Sequence, residues 1–350
     1  MNKSIKINGI SIGEKFPPYI VAEMSANHNG DINNALQIIK SAKENGANAV
    51  KIQTYRPDTM TIESDRDDFK INEGLWKGQT LYNLYEQAHT PWEWHKDLFD
   101  YAKKLDITIF SSPFDKTAVD FLEDLNTPAY KIASFEIVDI PLIKYVASTK
   151  KPIIISTGMA NDSEIKDAVN ACYESGCNNL ALLHCVSGYP ASSADYNLKT
   201  ITDIKNQFNH VTGLSDHTLN NITAIASIPL GVSIIEKHFT LDRKGGGPDD
   251  SFSLEPEDLK NLCESTYIAW EALGKIDYNR KFSERDNVKF RRSLYVIKDL
   301  KKGEIITKEH IKSIRPGYGL SPKYFHEILG KIVNQNLKKG EPFQLKYIKD

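Results

Sequence analysis

Two lysines stand inside runs of apolar and β-branched residues that otherwise predict buried strands, Lys51 within 49–54 and Lys131 within 129–134. A buried ammonium group is costly unless an anion pairs with it. Hydroxyl side chains end several of the neighbouring runs, as in 156–158, and they add hydrogen-bond donors. This combination favours a phosphate or carboxylate ligand. The alternative is that each lysine pairs with a glutamate on a strand.

Two histidines close the last two of these runs. His217 follows the run 211–216, and His238 lies two residues after Glu236. Side chains two positions apart point to the same face of a strand, so Glu236 and His238 share a face. Two histidines with a carboxylate and open positions are typical of a divalent metal such as Mn²⁺. Glu23 and Asp249 are further candidate ligands or orienting groups. The alternative is a pair of hydrogen-bonded core histidines.

These residues come together only if the runs form one sheet. Amphipathic stretches that predict helices, such as 33–45 and 164–174, separate the strand-like runs. Alternation of this kind predicts a parallel sheet, and eight units predict an α/β fold, the (β/α)₈ TIM barrel, with its active site at the carboxyl ends of the strands. The eight runs are 19–24, 49–54, 107–112, 129–134, 152–157, 180–185, 211–216 and 232–239.

Other segments lie outside this repeat. Residues 5–13 alternate around Asn8-Gly9 and predict an N-terminal β-hairpin. Residues 56–80, ahead of a helix at 91–105, predict a substrate-covering loop on the active-site face.

A change of character near the C-terminus predicts a second domain. After a helix at 257–273, short strands and turns replace the βα rhythm. We predict a barrel domain with its hairpin at 1–275, a linker at 276–288 and a small domain at 289–350. A domain of this size is marginal alone, so we expect it to dock onto another surface.

Composition restricts the class of protein. Hydrophobic residues make up 40% of the 350 residues, charged residues 26%, and the net charge is −2, so no basic field predicts nucleic acid as a partner. No apolar run approaches the ~20 residues that span a bilayer, and the N-terminus lacks the apolar core of a signal peptide. Four cysteines without CxxC spacing indicate neither a zinc site nor a disulfide framework. We therefore expect a cytoplasmic protein that does not bind membranes.

Eight stretches at the strand ends, read in order, resemble the N-acetylneuraminate (sialic acid) synthase family. They are AEMSANHNGD (22–31), AVKIQTY (49–55), YKIASFEI (130–137), PIIISTGMA (152–160), LLHCVSGYPA (182–191), GLSDHT (213–218), IEKHFTLD (235–242) and GPDDSFSLEP (247–256). The stretch GEIITKEHIKSIRPGYGLSP (303–322) is similar to that family's antifreeze-like, SAF-type domain. The resemblance covers essentially the full chain. It implies a transferase that condenses phosphoenolpyruvate with an N-acetylated amino sugar into a nine-carbon 2-keto acid and phosphate.

The resemblance also implies roles for single residues. Phosphoenolpyruvate would be bound by Lys51, Ser112, Lys131, Ser134, Ser156 and Ser215. The catalytic group would comprise Glu136 as acid or base, Glu23, and the metal ligands His217 and His238, which would hold Mn²⁺, or Mg²⁺ or Co²⁺. The sugar would be met by Glu23, Ser187, Tyr189, Glu236, Asp249 and Arg315. Arg315 would reach a neighbouring subunit's barrel, which implies a domain-swapped homodimer. Ser187 stands where the family's sialic acid enzymes have Asn.

Within the family, five stretches resemble the branch that makes pseudaminic acid from a diacetamido sugar, 2,4-diacetamido-2,4,6-trideoxy-L-altrose. They are EMSANHNG (23–30), TYRPDTMT (54–61), TPWEWH (90–95), SSPFDKTAVDFLE (111–123) and SFEIVDIPL (134–142). Family members that make sialic acid have glycine at the position of Phe135, so we expect this ring to pack against the sugar's 6-deoxy methyl group.

Three other functions stay open. The first is N-acetylneuraminate or legionaminate synthesis from a mannose-derived sugar. The second is a Schiff-base aldolase with Lys131 as its nucleophile. The third is a non-catalytic scaffold whose C-terminal domain binds glycan or ice.

Overall fold

The computed structural model describes residues 4–349, and its first compact unit is a closed barrel of eight parallel strands. Each strand pairs with the next along the chain, and the last closes against the first. The predicted barrel is confirmed, with strand ends that differ from the predicted runs by at most two residues. After a hairpin of β1 (Ile5–Ile7) and β2 (Ile10–Ile12), the barrel strands are β3 (Tyr19–Glu23), β4 (Ala49–Thr54), β5 (Thr108–Pro113), β6 (Tyr130–Ile132), β7 (Ile153–Ser156), β8 (Leu180–Cys185), β9 (Val211–Ser215) and β10 (Val232–His238).

Helices follow the strands and cover the barrel. They are α1 (Ile32–Glu44), α2 (Pro57–Met60), α3 (Leu81–Ala88), α4 (Trp92–Lys104), α5 (Lys116–Asp124), α6 (Ile140–Ser148), α7 (Asp162–Glu174), α8 (Thr200–Phe208), α9 (Ile222–Ser227) and α10 (Pro256–Leu273). Local chemistry sets their starts: the Asp31 side chain accepts from the backbone N–H of Asn33 ahead of α1, at 2.8 Å. None of the helices between residues 4 and 349 is long and apolar enough to cross a bilayer.

The predicted N-terminal hairpin is confirmed, and it closes the N-terminal end of the barrel. Its turn residues Asn8 and Gly9 have φ angles of 46° and 84°, as a two-residue hairpin turn requires. The inward-facing Ile5, Ile7 and Ile12 pack in one cluster with residues at the starts of the barrel strands. The opposite end of the barrel is left open for chemistry.

The insertion after β4 contains α2, a 3₁₀ turn at Asp67–Phe69, and α3. Helix α3 was not predicted from the sequence, although Thr80 is a recognisable N-cap whose hydroxyl accepts from the backbone N–H of Asn83. The indole Nε1 of Trp76 donates to the carbonyl of Pro248 at 3.0 Å. The insertion is therefore tied to the loop after β10, on the open side of the barrel.

The second compact unit begins after Gly274. It contains 3₁₀ turns at Phe282–Phe290, an antiparallel pair of β11 (Ser293–Val296) and β12 (Ile311–Ile314), and the short helix α11 (Phe325–Ile328). Leu294, Ile306 and Phe343 belong to its own apolar core.

Candidate active site

A cavity of about 520 Å³ opens at the carboxyl ends of the barrel strands. Its floor is polar, and the strand ends that form it contribute Glu23, Lys51, Gln53, Lys131, Ser134, Ser156, Cys185, Ser215, His217, Glu236 and His238. Its wall from the insertion is largely apolar and includes Met60, Ile71, Trp76, Leu81, Leu84, Tyr85 and Ala88. The residues of the insertion thus cover the polar floor, where the predicted substrate-covering loop was expected.

Two buried lysines and two buried glutamates form the centre of the floor. Lys51 Nζ lies 3.1 Å from Glu23 Oε2 and 3.3 Å from Glu236 Oε1, and Lys131 Nζ lies 2.8 Å from the same Glu236 oxygen. No member of the group is more than 5% exposed. The lysines therefore do pair with strand glutamates, which was the alternative to an anionic ligand. They also line the cavity, so the pairing and an anionic ligand are compatible.

Burial and the neighbouring charges shift the pKa values of the two glutamates in opposite directions. Burial raises the pKa of Glu23 to about 7, against the opposing attraction of Lys51. Burial alone would also raise the pKa of Glu236, but Lys131 and Lys51 together hold it at about 2. Of the two carboxyl groups, that of Glu23 thus binds a proton more readily. Burial also lowers the pKa of Lys131, against the attraction of Glu236. An anionic ligand beside the two lysines would add to the attraction that keeps them charged.

Five of the six predicted phosphoenolpyruvate residues line the cavity. The buried hydroxyl of Ser156 has no hydrogen-bond partner within residues 4–349, and that of Ser134 bonds Ser187 at 2.8 Å. Ser112 differs, because its hydroxyl accepts from the ammonium of Lys51 at 3.3 Å and the residue does not line the cavity. Gly158 has a φ of 48°, and a Cβ there would lie 2.4 Å from that of Ser134, so only glycine fits this turn.

His217 and His238 adjoin in the cavity, with ring centroids 5.5 Å apart. The Nδ1 of His217 bonds the carbonyl of Val186 at 2.7 Å and must donate to it, which leaves Nε2 as an electron-pair donor. Burial lowers the pKa of His217 to about 4 and that of His238 well below its usual value. Both rings are therefore neutral near pH 7, which is the form that binds metals.

The two histidines fit a metal ion only as a partial ligand set. No group of three or more His, Cys, Asp or Glu side chains with metal-binding geometry occurs between residues 4 and 349. The buried Nδ1 of His238 has no hydrogen-bond partner in the same range, and it lies 3.8 Å from Asp249 Oδ2. Water or substrate oxygens would have to complete the coordination of a metal. The alternative of hydrogen-bonded core histidines holds in part for His217, whose Nδ1 bonds the carbonyl of Val186. It also describes another strand-end histidine, His184, which bonds the carbonyl of Tyr196 at 2.5 Å.

Glu136 faces the same cavity from a 3₁₀ turn directly after β6. Strand β6 ends at Ile132, two residues before the end of the predicted run, and the chain then turns so that Ser134, Phe135 and Glu136 all line the cavity. The buried Oε2 of Glu136 has no hydrogen-bond partner in the described chain, and burial raises the pKa of this carboxyl to about 7. A carboxyl group with this pKa can exchange protons near neutral pH.

The remaining predicted residues divide between the two units. Tyr189 packs on His217 with ring centroids 4.4 Å apart, and Ser187 and Asp249 also line the cavity. Arg315 belongs to the second unit, directly after β12, and its reach into another subunit stays a prediction.

Residues that line the cavity without having been predicted as site residues include Ser25, Gln53 and Cys185. Gln53 follows Lys51 by two positions on β4, so the alternation that paired Glu236 with His238 would have found it.

Comparison with known proteins finds relatives that match most of the chain. The model of the NeuB family matches residues 38–278, and that of the SAF domain matches residues 291–348. The chain is 46% identical over 328 residues to the pseudaminic acid synthase of Helicobacter pylori, which covers 93% of this chain and 96% of that one. It is 37% identical over 326 residues to the N,N'-diacetyllegionaminic acid synthase of Campylobacter jejuni, covering 92% and 97%. A crystal structure of the N-acetylneuraminic acid synthetase of Leptospira borgpetersenii, in complex with citrate, matches with a TM-score of 0.74 at 31% identity, covering 83% and 97%.

Proposed function

This chain belongs to the NeuB family, and we propose that it condenses phosphoenolpyruvate with 2,4-diacetamido-2,4,6-trideoxy-L-altrose to give pseudaminic acid and phosphate. The observation that carries this proposal is the two-part cavity, in which a lysine-lined polar floor suits an anion and an apolar wall suits a deoxy sugar. The near full-length identity to the Helicobacter pylori enzyme supports the choice of sugar. We also propose a cytoplasmic, domain-swapped homodimer in which Arg315 serves a neighbouring subunit.

The polar floor supports binding of phosphoenolpyruvate. Lys51 and Lys131 would offset its charge, and the hydroxyls of Ser134, Ser156 and Ser215 would donate to its oxygens. The unpartnered hydroxyl of Ser156 is available for this role without breaking a bond in the protein. A divalent metal, with Mn²⁺ as the first candidate and Mg²⁺ or Co²⁺ as others, would be held by His217 and His238 and would polarise the sugar aldehyde.

The proposed reaction forms one carbon–carbon bond and breaks one carbon–oxygen bond. Carbon 3 of phosphoenolpyruvate attacks the aldehyde carbon of the open-chain sugar, and carbon 2 develops oxocarbenium character. Water adds to carbon 2 and gives a proton to Glu136. The bond from carbon 2 to the phosphate oxygen then breaks, and the carbonyl forms as the hydroxyl proton leaves. Of the two protons of water, one ends on the new sugar hydroxyl and one on phosphate.

Phosphate release from phosphoenolpyruvate tests the function. The assay uses a panel of altrose-, mannose- and glucose-derived acetamido sugars, with and without Mn²⁺, and the altrose sugar should react fastest. A higher kcat/KM on N-acetylmannosamine or on the legionaminate precursor would instead assign one of the related activities. Phosphoenolpyruvate labelled with ¹⁸O in its bridging oxygen should give labelled phosphate, and label retained in the sugar acid would contradict the proposed bond cleavage.

Glu136→Gln should abolish a rise of kcat/KM with pH. Because burial raises the pKa of this carboxyl to about 7, the wild-type carboxylate forms only as the pH passes that value. Activity that depends on the base should therefore increase through pH 7 and level off above it. The variant should be slower by about 10²–10⁴-fold and should lack this rise. Glu23 has a similar pKa, so a rise that persists in Glu136→Gln but disappears in Glu23→Gln would assign the titration to Glu23.

Phe135→Gly should reduce the preference for the 6-deoxy sugar. Phe135 lines the cavity with 56% of its surface exposed, so its removal leaves no buried void. Because the variant loses a contact with one methyl group, the ratio of kcat/KM for the altrose sugar to kcat/KM for N-acetylmannosamine should fall about tenfold. Phe135→Leu is the matched control, since it keeps an apolar surface and should keep most of the preference. An unchanged ratio in Phe135→Gly would remove this residue from sugar selection.

A further inference from the structure

Two loops form the side of the cavity next to His238, residues 24–31 after β3 and residues 239–255 after β10. Three hydrogen bonds between side chains join these loops: Ser25 Oγ donates to Asp249 Oδ2 at 2.5 Å, Asn27 Nδ2 to Ser253 Oγ at 2.8 Å, and Asn29 Nδ2 to Asp250 Oδ2 at 2.9 Å. Of the three donors, only Ser25 lines the cavity. The bond between Ser25 and Asp249 therefore joins two residues that both line the cavity.

Ser25 is held in an unusual backbone conformation. Its φ is 46°, in the left-handed region that residues with a Cβ seldom adopt, and it is 4% exposed. Its oxygen also accepts from Gln53 Nε2 at 3.0 Å, and that amide donates to Glu23 Oε1 at 3.1 Å. One hydroxyl thus connects the Glu23–Lys51 pair on one side of the floor to Asp249 on the other.

Asp249 continues this connection to His238. The oxygen that accepts from Ser25 is the same oxygen that lies 3.8 Å from His238 Nδ1. At 3.8 Å this is an electrostatic contact and not a hydrogen bond, so the carboxylate restrains the ring only while Asp249 itself is held in place. The hydroxyl of Ser25 in turn restricts the rotation of the Asp249 carboxylate.

We propose that Ser25 is a positioning residue that acts through Asp249 to orient His238 toward the cavity. Gln53 completes the connection by fixing the Ser25 hydroxyl against Glu23. The inference rests on the proposed function only for the part that His238 takes in holding a divalent metal.

Ser25→Gly and Asn29→Gly form a matched pair of variants that tests this role. Both residues have a positive φ, 46° and 51°, so glycine relieves the backbone in each and both variants should fold. Each loses one side-chain bond to an aspartate of the same loop, and Ser25→Gly also loses the bond from Gln53. In metal-free protein studied by calorimetry, Ser25→Gly should bind Mn²⁺ about tenfold more weakly, whereas Asn29→Gly should match the wild type. The kcat/KM for phosphate release should fall in a similar ratio in Ser25→Gly alone.

Crystal structures of the two variants give a readout that does not depend on activity. The Asp249 carboxylate should turn away from His238 in Ser25→Gly and keep its place in Asn29→Gly. Wild-type Mn²⁺ affinity in Ser25→Gly, an unmoved Asp249, or an equal loss of affinity in Asn29→Gly would each overturn the proposal. If the wild type releases no phosphate with any sugar, the proposed function fails, and the crystallographic comparison still decides the role of Ser25.

Discussion

Replacing Lys131 with methionine should lower kcat/KM for phosphate release by about 10²–10³-fold. Lys131 is 2% exposed, lines the cavity and pairs with Glu236 at 2.8 Å. Methionine keeps the length and apolar character of the side chain but removes the charge that would stabilise the phosphate. Glu236 would still be paired with Lys51 at 3.3 Å, so the free energy of unfolding should fall only modestly. Steady-state kinetics and thermal unfolding of the same preparation measure the two effects.

Lys237→Met is the matched control for this variant. Lys237 is equally buried on the same strand as Glu236, but its ammonium points away from the cavity and bonds Asp216 at 2.9 Å. Its removal leaves a buried carboxylate without its cation, which should cost about 3–5 kcal/mol of stability. We expect Lys237→Met to lose more stability than Lys131→Met and to keep more activity. The reverse order would show that Lys131 is chiefly structural.

Borohydride treatment separates this role of Lys131 from that of an aldolase nucleophile. In the proposed reaction, Lys131 stays an ammonium ion, so reduction in the presence of phosphoenolpyruvate and sugar should leave the mass of the protein unchanged. A stable adduct on Lys131 would assign a Schiff-base mechanism instead.

His238→Ala should lower kcat/KM by at least about 10²-fold, because polarisation of the substrate oxygen by a metal is worth several kcal/mol. Wild-type protein treated with EDTA should lose activity and regain it when Mn²⁺ is added. The variant should not regain it, since only His217 would remain of the pair. Calorimetry with Mn²⁺ alone should show the loss of binding directly.

His184→Ala is the matched control for the metal prediction. His184 is also a buried histidine near a strand end, but its ring bonds the backbone of Tyr196 and does not line the cavity. This variant should lose stability of about 1–3 kcal/mol and keep its response to EDTA and Mn²⁺. An EDTA-sensitive, Mn²⁺-restored activity in His238→Ala would remove His238 from the metal site.

The sequence alone predicted the barrel and the side of it that carries chemistry. Parallel strands covered by helices are apolar on both faces, so eight such runs were recognisable, and polar residues at their ends stood out. Alternation along each strand also predicted that Glu236 and His238 face the same way, as they do. These features are local in sequence, because they depend on the period of a single strand.

Only the tertiary structure decided which strand ends touch. Alternation gives the face of a side chain but not its height in the barrel or its neighbour across the interior. Closure of the barrel brings Glu236 of β10 between Lys51 of β4 and Lys131 of β6, and it leaves Ser112 bonded to Lys51 without lining the cavity. The Ser25 hydroxyl likewise meets Asp249, 224 residues away in sequence, only in the folded chain. The sequence therefore determined the kinds of groups in the site, and the packing of strands and loops determined their pairing.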